Sequence, residues 1–156
     1  MDYGVKGVDV KGCPMQINFF DMSGNPWYRE IREPFFDGAM GVLLVYDVTN
    51  KQSFVQLDDW IKEAKSNYLF LSAKDRGVRG GHPPFVVLLA NKVDLGTRVV
   101  SVGEGEQFAA RHGMQYMECS CSTGQGVNEA MSHLFKKTIH YVNEQRKMLG
   151  IPNSLN

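Results

Sequence analysis

The sequence lacks an excess of charge of either sign, because 17 Lys and Arg residues balance 17 Asp and Glu residues. That balance disfavours a nucleic-acid-binding protein and an electrostatic membrane anchor. No apolar run approaches the roughly 20 residues that a bilayer-spanning helix needs. The first residues lack the character of a signal peptide, and the last ones include no cysteine for prenylation, so no lipid anchor is expected on this chain.

Cysteine is scarce as well. Cys13, Cys119 and Cys121 are odd in number and have no metal-ligand spacing, which disfavours a disulfide framework and favours a reduced, cytoplasmic compartment. The rest of the composition, with 43% hydrophobic and 22% charged residues among 156, is typical of one soluble domain with a real core.

Strand-like and helix-like patterns alternate along the chain. Apolar runs at Gly41–Tyr46 and Phe85–Ala90 are typical of parallel strands buried on both faces. Between them, Lys51–Asn67 carries one apolar stripe, which predicts a helix. The other predicted elements are a hairpin of Val5–Val10 and Met15–Phe20, a helical segment at Pro26–Asp37, a loop at Ser72–Pro84, a helix at Gly103–His112, a strand at Gln115–Cys119 and a helix from Val127 to about Lys147. This order predicts an α/β domain of three layers over residues 1–148, followed by a tail or linker at 149–156.

The tetrapeptide Asn91-Lys92-Val93-Asp94 follows the second apolar run, at the edge of the sheet where ligands of α/β domains bind. The Asp94 carboxylate can accept two hydrogen bonds from the ring and exocyclic nitrogens of guanine, a pair that adenine does not supply. The Asn91 amide can meet the far edge of the base, and the Lys92 stem can lie across its face. The alternative is a polar turn. The pattern Asn-Lys-x-Asp arises by chance in about 2% of chains this long, so alone it is moderately specific.

Two further polar loops follow strands. Asp21 and Gly24 fit a phosphate-handling loop, in which the carboxylate holds Mg²⁺, directly or through water, and the glycine N–H approaches the terminal phosphate. In the loop Glu118–Ser122, a backbone N–H can meet the guanine carbonyl oxygen and Ser120 can brace Asp94. Each loop alone is more simply a turn, but three of them in this order favour a guanine-nucleotide site.

These residues also carry a family resemblance. The stretches Phe19–Asn25 and Phe35–Thr49 resemble the switch II region and the following strand of a Rab-type small GTPase, and the resemblance continues through Trp60, Asn91–Asp94 and Glu118–Cys121. Two further segments, Asp2–Val5 and Asn18–Asp21, resemble the Rab-like branch that carries a J domain in some members and lacks prenylation cysteines.

The resemblance implies a small-GTPase fold with a mixed, mostly parallel sheet, binding of GTP or GDP with Mg²⁺, and effector, exchange-factor and activating proteins as partners. It places base recognition at Asn91, Lys92 and Asp94, with support from Ser120, Cys121 and Ser122. For location it implies the cytoplasm, with flagellar or basal-body association in the J-domain branch.

The chain departs from the family at its beginning. It contains no Gly-Lys-Ser or Gly-Lys-Thr, so the first strand, the phosphate loop, the first helix and most of switch I are missing. Because that loop supplies N–H donors and a lysine for the β-phosphate, this chain alone is expected to bind GTP weakly or not at all. In the family the missing strand lies between Met15–Phe20 and Gly41–Tyr46. These neighbours can close up, a neighbouring chain can fill the slot, or an upstream segment can supply the strand, and the last is favoured.

Two more sets of residues have a family role and a simpler alternative. Asn25 stands where most members have the Gln that orients the attacking water, and its shorter side chain implies slow hydrolysis; alternatively it caps a helix before Pro26. Tyr3, Phe20 and Phe35 match an aromatic cluster that binds effectors, and the alternative is that they are core residues.

Two functions therefore stay open. The first is a guanine-nucleotide-dependent switch with slow GTP hydrolysis in the complete protein. The second is a nucleotide-free pseudo-GTPase that serves as a protein-binding module or as part of a larger assembly. A flavodoxin-like protein is a third possibility, which the order of the three loops disfavours.

Overall fold

The computed structural model describes residues 2–10, 13–36, 38–66 and 84–148. They form two β-sheets and five α-helices. The antiparallel sheet consists of β1 (Asp2–Val10) and β2 (Cys13–Asp21), and the parallel sheet has the order β3 (Gly41–Asp47), β4 (Phe85–Asn91) and β5 (Gln115–Glu118). The helices are α1 (Arg29–Arg32), α2 (Lys51–Val55), α3 (Leu57–Ser66), α4 (Val102–Arg111) and α5 (Val127–Met148), with 3₁₀ turns at Pro26–Tyr28 and Glu33–Phe36.

The predicted α/β class and its parallel sheet are confirmed, and two predicted helices are shorter than expected. The segment predicted as one helix at Pro26–Asp37 consists of α1 between two 3₁₀ turns. Pro34 accounts for the second turn, because proline has no N–H to continue an α-helical ladder. The helix predicted at Lys51–Asn67 is divided at Gln56 into α2 and α3. The predicted loop at 72–83 and the tail at 149–156 lie outside the described residues.

The hairpin and the parallel sheet remain separate. Within the described ranges, β2 and β3 do not hydrogen-bond to each other, so the single mixed sheet implied by the resemblance is divided into two. The hairpin instead contacts the rest of the domain through side chains, including the ring of Phe19, whose centroid lies 6.1 Å from that of Phe135 on α5. Of the three outcomes considered for the slot between the strands, closure of the two neighbours is therefore not observed.

The hydrophobic core lies on both faces of the parallel sheet. Successive residues of β4 point to opposite faces, so Leu88 packs with Leu57 and Phe108 on the face covered by α3 and α4, while Leu89 packs with Ala130 of α5 on the other. Helices on both faces give the predicted three layers. In the part of the chain that the structure describes, no helix is long and apolar enough to cross a membrane.

Candidate functional site

Three loops that follow strands carry most of the predicted site residues: the β2 loop (22–25), the β4 loop (92–95) and the β5 loop (119–126). The β4 and β5 loops are joined by the side chain of Asn91, the last residue of β4. Its Oδ1 accepts hydrogen bonds from the N–H of Lys92 at 2.8 Å and from the N–H of Cys121 at 3.1 Å. The backbone adds a further link, since Val93 N–H donates to the Cys119 carbonyl at 3.3 Å. The loops predicted to read the base therefore form one unit at the carboxyl edge of the sheet.

Both the backbone and the charged end of the Lys92 side chain are constrained. Its φ of 66° lies in the left-handed region, which residues with a side chain seldom adopt. Its Nζ lies 2.6 Å from Oδ2 of Asp47 at the end of β3, and the other oxygen of Asp47 accepts the N–H and the hydroxyl of Thr49 at 2.8 and 2.7 Å. Burial alone raises the pKa of Asp47, but the hydrogen bonds from Lys92 and Thr49 outweigh it, and the pKa lies below its ordinary value.

The Asp94 carboxylate is exposed in a turn that closes where Leu95 N–H donates to the Lys92 carbonyl at 3.1 Å. This exposure leaves its two oxygens accessible to donors on a ligand. The hydrogen bond expected between Ser120 and Asp94 is not formed among the described residues. Ser120 is fully buried, and its Oγ instead accepts the N–H of Thr123 at 3.1 Å.

The β5 loop is closed by its own backbone. Ser120 N–H donates to the Gln125 carbonyl at 2.9 Å, and Gly124 N–H donates to the Ser120 carbonyl at 2.8 Å. Gly126 has a φ of 72°, and a Cβ there would collide with the carbonyl oxygen of Glu118, so the close approach requires glycine. Such closure fixes the direction of the N–H groups that precede α5.

Cys121 and Ser122 lie on the outer side of the β5 loop, and both are exposed. Of the two thiols near this loop, the buried one is that of Cys119. Because the N–H of Cys121 already donates to Asn91, the N–H of Ser122 is the next one in this loop that can meet a base.

The β2 loop carries the residues predicted to handle phosphate. Asp21 ends β2 with its side chain exposed, and Gly24 lies against Trp60, whose Cζ2 would be 3.8 Å from a Cβ at Gly24. The capping interpretation of Asn25 is confirmed, since its Oδ1 accepts the N–H of Trp27 at 3.0 Å at the start of the 3₁₀ turn. The Asn25 carboxamide thus already has a partner in this state.

The three aromatic residues predicted to contact effectors form a cluster of tilted rings. The ring of Phe20 lies 5.2 Å from that of Tyr3 and 4.8 Å from that of Phe35, measured between centroids. Tyr3 is 60% exposed and Phe20 42% exposed, so for these two the alternative of ordinary core residues is wrong. A partly exposed aromatic cluster of this kind is typical of protein-binding surfaces.

Sequence reasoning missed three charged residues at the site. Asp47 was detectable, because it ends a parallel strand and its register partner is Asn91, so both side chains belong to one edge of the sheet. Arg32 and Glu63 form a buried ion pair beside the β2 loop. No spacing in the sequence relates them, since they are 31 residues apart.

The arrangement fits a guanine base better than it fits a phosphate chain. An exposed carboxylate, a lysine paired with Asp47 and an exposed loop at Cys121 and Ser122 lie at the ends of β4 and β5, as base recognition requires. For Mg²⁺ the β2 loop offers the single carboxylate of Asp21, and the described ranges contain no group of three or more His, Cys, Asp or Glu residues that can hold a metal ion.

Comparison with known proteins gives a consistent result. Residues 1–140 match the family model for the Ras family. DnaJ homolog subfamily C member 27 of Danio rerio is 38% identical over 137 residues, covering 86% of this chain and 47% of the relative. The proteins of that name from Gallus gallus and Homo sapiens are 38% and 39% identical over 141 and 131 residues, covering 89% and 83% of this chain and 49% and 45% of the relatives. The chain thus spans about half the length of the curated relatives it matches.

Proposed function

This chain belongs to the Ras family as a Rab-like small GTPase, and we propose that it is the base-reading and switch part of a guanine-nucleotide-dependent molecular switch. The observation that carries this proposal is the position of Asn91, whose amide oxygen accepts hydrogen bonds from the N–H groups of Lys92 and Cys121. The base-reading residues Asn91, Lys92 and Asp94 are all present beside this contact, and a degenerate domain has no physical need to keep all of them.

The residues have separate roles in the proposal. Asp94 accepts the two hydrogen bonds that distinguish guanine from adenine, and Lys92 lies beside the base while Asp47 fixes its charged end. Asp21 and Gly24 sense Mg²⁺ and the terminal phosphate. GTP or GDP with Mg²⁺ is thus the ligand of the complete protein.

Hydrolysis is proposed to be slow. Asn25 is one methylene shorter than Gln, and its Oδ1 already accepts the N–H of Trp27. Positioning a water molecule would require this capping bond to break, at a cost of about 1 kcal/mol. An activating protein that rearranges the β2 loop is therefore part of the proposal.

The test is calorimetric titration with GDP, GTP and ATP in the presence of Mg²⁺. It uses the 156-residue chain and the longest chain that its gene encodes. We expect weak or no binding by the shorter chain, and binding of GDP and GTP but not ATP by the longer one. Absence of guanine-nucleotide binding by both would contradict the proposal.

The variant Asp94→Asn sharpens this test in the longer chain. It replaces one acceptor oxygen of the carboxylate by an NH₂ donor. We therefore expect guanine-nucleotide affinity to fall by about a hundredfold or more. Affinity for xanthosine nucleotides should rise, because xanthine presents a carbonyl where guanine presents an amino group. Asp59→Asn is the matched control, since Asp59 lies on the exposed side of α3 and pairs with Lys62. Equal effects of the two variants would contradict the role of Asp94.

A second candidate function is that of a nucleotide-free binding module, and a specific observation favours it. Among the described residues β2 and β3 belong to separate sheets and are not hydrogen-bonded to one another, and Val45 of β3 is 48% exposed. Unpaired strand edges recruit strands from other chains. A neighbouring chain that fills this slot would appear in light scattering as a stable oligomer or complex that GDP does not affect.

Partners and location complete the proposal. The aromatic cluster of Tyr3, Phe20 and Phe35 is proposed to contact effector proteins. A cytoplasmic protein associated with flagella or basal bodies is the proposed setting, which fluorescence microscopy of the tagged protein would test. Uniform exclusion from those structures would contradict it.

A further inference from the structure

Arg32 of α1 is buried to an extent that is unusual for arginine. It is 6% exposed, and its partner Glu63 on α3 is 5% exposed. The two side chains form a fork, with Nε of Arg32 2.5 Å from Oε1 of Glu63 and Nη2 2.7 Å from Oε2. The hydrogen bonds that Arg32 donates to Glu63 raise the pKa of Arg32 despite its burial. The guanidinium is therefore a fixed, permanently charged group.

The remaining nitrogen of the same guanidinium donates to the backbone of the β2 loop. Nη1 lies 2.7 Å from the carbonyl oxygen of Ser23 and 3.1 Å from that of Asn25. These two carbonyls stand on either side of Gly24. One side chain thus joins both flanks of the predicted phosphate-sensing glycine to α3.

Trp60 of α3 completes the attachment. The Cζ atom of Arg32 lies 4.4 Å from the centroid of the Trp60 ring, a cation–π contact. The same indole also contacts the loop, because its Cζ2 would lie 3.8 Å from a Cβ at Gly24. The β2 loop is consequently packed against the residues that hold Arg32.

The other hydrogen bonds of this loop within the described ranges are local and do not explain its attachment. Asn25 N–H donates to Ser23 Oγ at 3.3 Å, Trp27 N–H to Asn25 Oδ1 at 3.0 Å and Tyr28 N–H to the Asn25 carbonyl at 3.1 Å. These bonds shape the turn without joining it to the sheet or to α3. Arg32 supplies the long-range hydrogen bonds that do.

We propose that Arg32 is a positioning residue that fastens the β2 loop to α3, so that the loop keeps one conformation in the absence of nucleotide. What the loop then senses rests on the function proposed above, whereas its attachment does not. A ligand that moves the loop must compete with the contacts of Arg32. Movement at Gly24 is thereby coupled to Glu63 and Trp60 of α3.

The test is amide hydrogen exchange of the 156-residue chain without nucleotide, read by mass spectrometry. The exchange rate of the peptides that cover residues 22–28 is divided by the exchange rate of β4 in the same sample. This ratio separates local opening of the loop from global unfolding. We expect Arg32→Lys and Arg32→Met to raise this ratio by about tenfold or more, because neither side chain has the fork that reaches Glu63 and both carbonyls. If Arg32→Met unfolds the domain, the result for Arg32→Lys decides.

Two further variants separate the loop attachment from a merely stabilising ion pair. Arg29→Met is the matched control, because Arg29 also approaches Glu63, at 3.5 Å, but is exposed and has no hydrogen bond to the loop; we expect it to leave the ratio unchanged. The exchanged pair Arg32→Glu with Glu63→Arg restores opposite charges, yet a carboxylate at 32 cannot donate to carbonyls. In this double variant the β2 loop should therefore still exchange fast, even if the melting temperature of the protein recovers.

An unchanged exchange ratio in Arg32→Lys would overturn the proposal, as would a ratio that rises equally in Arg29→Met. Because no nucleotide is present, neither result depends on whether the complete protein binds GTP. Conversely, failure of nucleotide binding would leave the exchange result intact.

Discussion

Nζ of Lys92 lies 2.6 Å from Oδ2 of Asp47, so the end of β3 holds the residue that begins the β4 loop. Asn91, the register partner of Asp47, ties the same loop to β5. The β4 loop is thus fixed from both neighbouring strands. A base bound at Asp94 would meet a loop that needs little reorganisation.

Replacement of Asp47 by Asn should remove the charge that pairs with Lys92. We expect the free energy of unfolding at pH 7 to fall by about 0.5–1 kcal/mol, a small loss because half of the Lys92 side chain is exposed to solvent. Urea denaturation measures it. The control Asp59→Asn breaks an exposed pair with Lys62 and should change the value by less than about 0.5 kcal/mol. A larger loss in the control than in Asp47→Asn would refute the prediction.

Two glycines of α4 should respond to alanine in opposite directions. A Cβ at Gly105 would lie 2.5 Å from Cε2 of Tyr116 and 2.7 Å from the hydroxyl of Tyr46, so Gly105→Ala should destabilise the protein by about 1–3 kcal/mol. A Cβ at Gly103 meets nothing within 4 Å, so Gly103→Ala should stabilise it by about 0.5–1 kcal/mol. Urea denaturation of the two variants gives the signs, and equal signs would contradict the packing described for Gly105.

The start of α4 should make stability depend on pH. The carboxylate of Glu104 pairs with Lys51 and closes a capping box with Ser101, and these contacts lower its pKa from the ordinary 4.5 to about 2. Since the folded-state pKa is the lower one, the stabilisation is complete above pH 4.5 and is lost as the pH falls toward 2.

Melting temperatures measured between pH 2 and pH 6 test this dependence. The difference between the parent chain and Glu104→Gln should shrink as the pH falls through that window. Glu106→Gln, an exposed change on the same helix, should follow the parent curve. A constant difference between the parent chain and Glu104→Gln at every pH would show that the carboxylate charge is unimportant.

The two cysteines around the β5 loop should differ in reactivity. Burial, and then the neighbouring Cys121, raises the pKa of Cys119 to about 12, whereas Cys121 is exposed. In a Cys13→Ser background, a thiol reagent should therefore label Cys121 alone until the protein unfolds. Peptide mass spectrometry identifies the labelled residue. Labelling of Cys119 in the native state would show that the β5 loop opens.

The labelled protein gives a second measurement. An adduct on Cys121 would stand beside the N–H groups proposed to meet the base, so it should weaken guanine-nucleotide binding by the longer chain. Cys121→Ser should abolish labelling while keeping the backbone contact with Asn91. Unchanged binding after complete labelling would place the base elsewhere.

The amino-acid sequence by itself determined the elements and the loops that carry the chemistry. Runs such as Phe85–Asn91 are apolar on both faces, and the turn after them places Asn91 to Asp94 at the edge of the sheet. Such local signals depend on residues a few positions apart, so periodicity and turn chemistry are enough to predict them. The bounds of α4 and α5 followed from the same signals to within a residue or two.

The tertiary structure alone decided which distant side chains meet. Arg32 reaches Glu63 across 31 positions, and Asp47 reaches Lys92 across the edge of the sheet. Tyr3 and Phe20 proved to be exposed because the hairpin forms its own sheet. The physical reason is that the packing of whole elements decides which ion pairs form and which faces are exposed. The type of a charged or aromatic residue in the sequence does not identify the residue that it will contact.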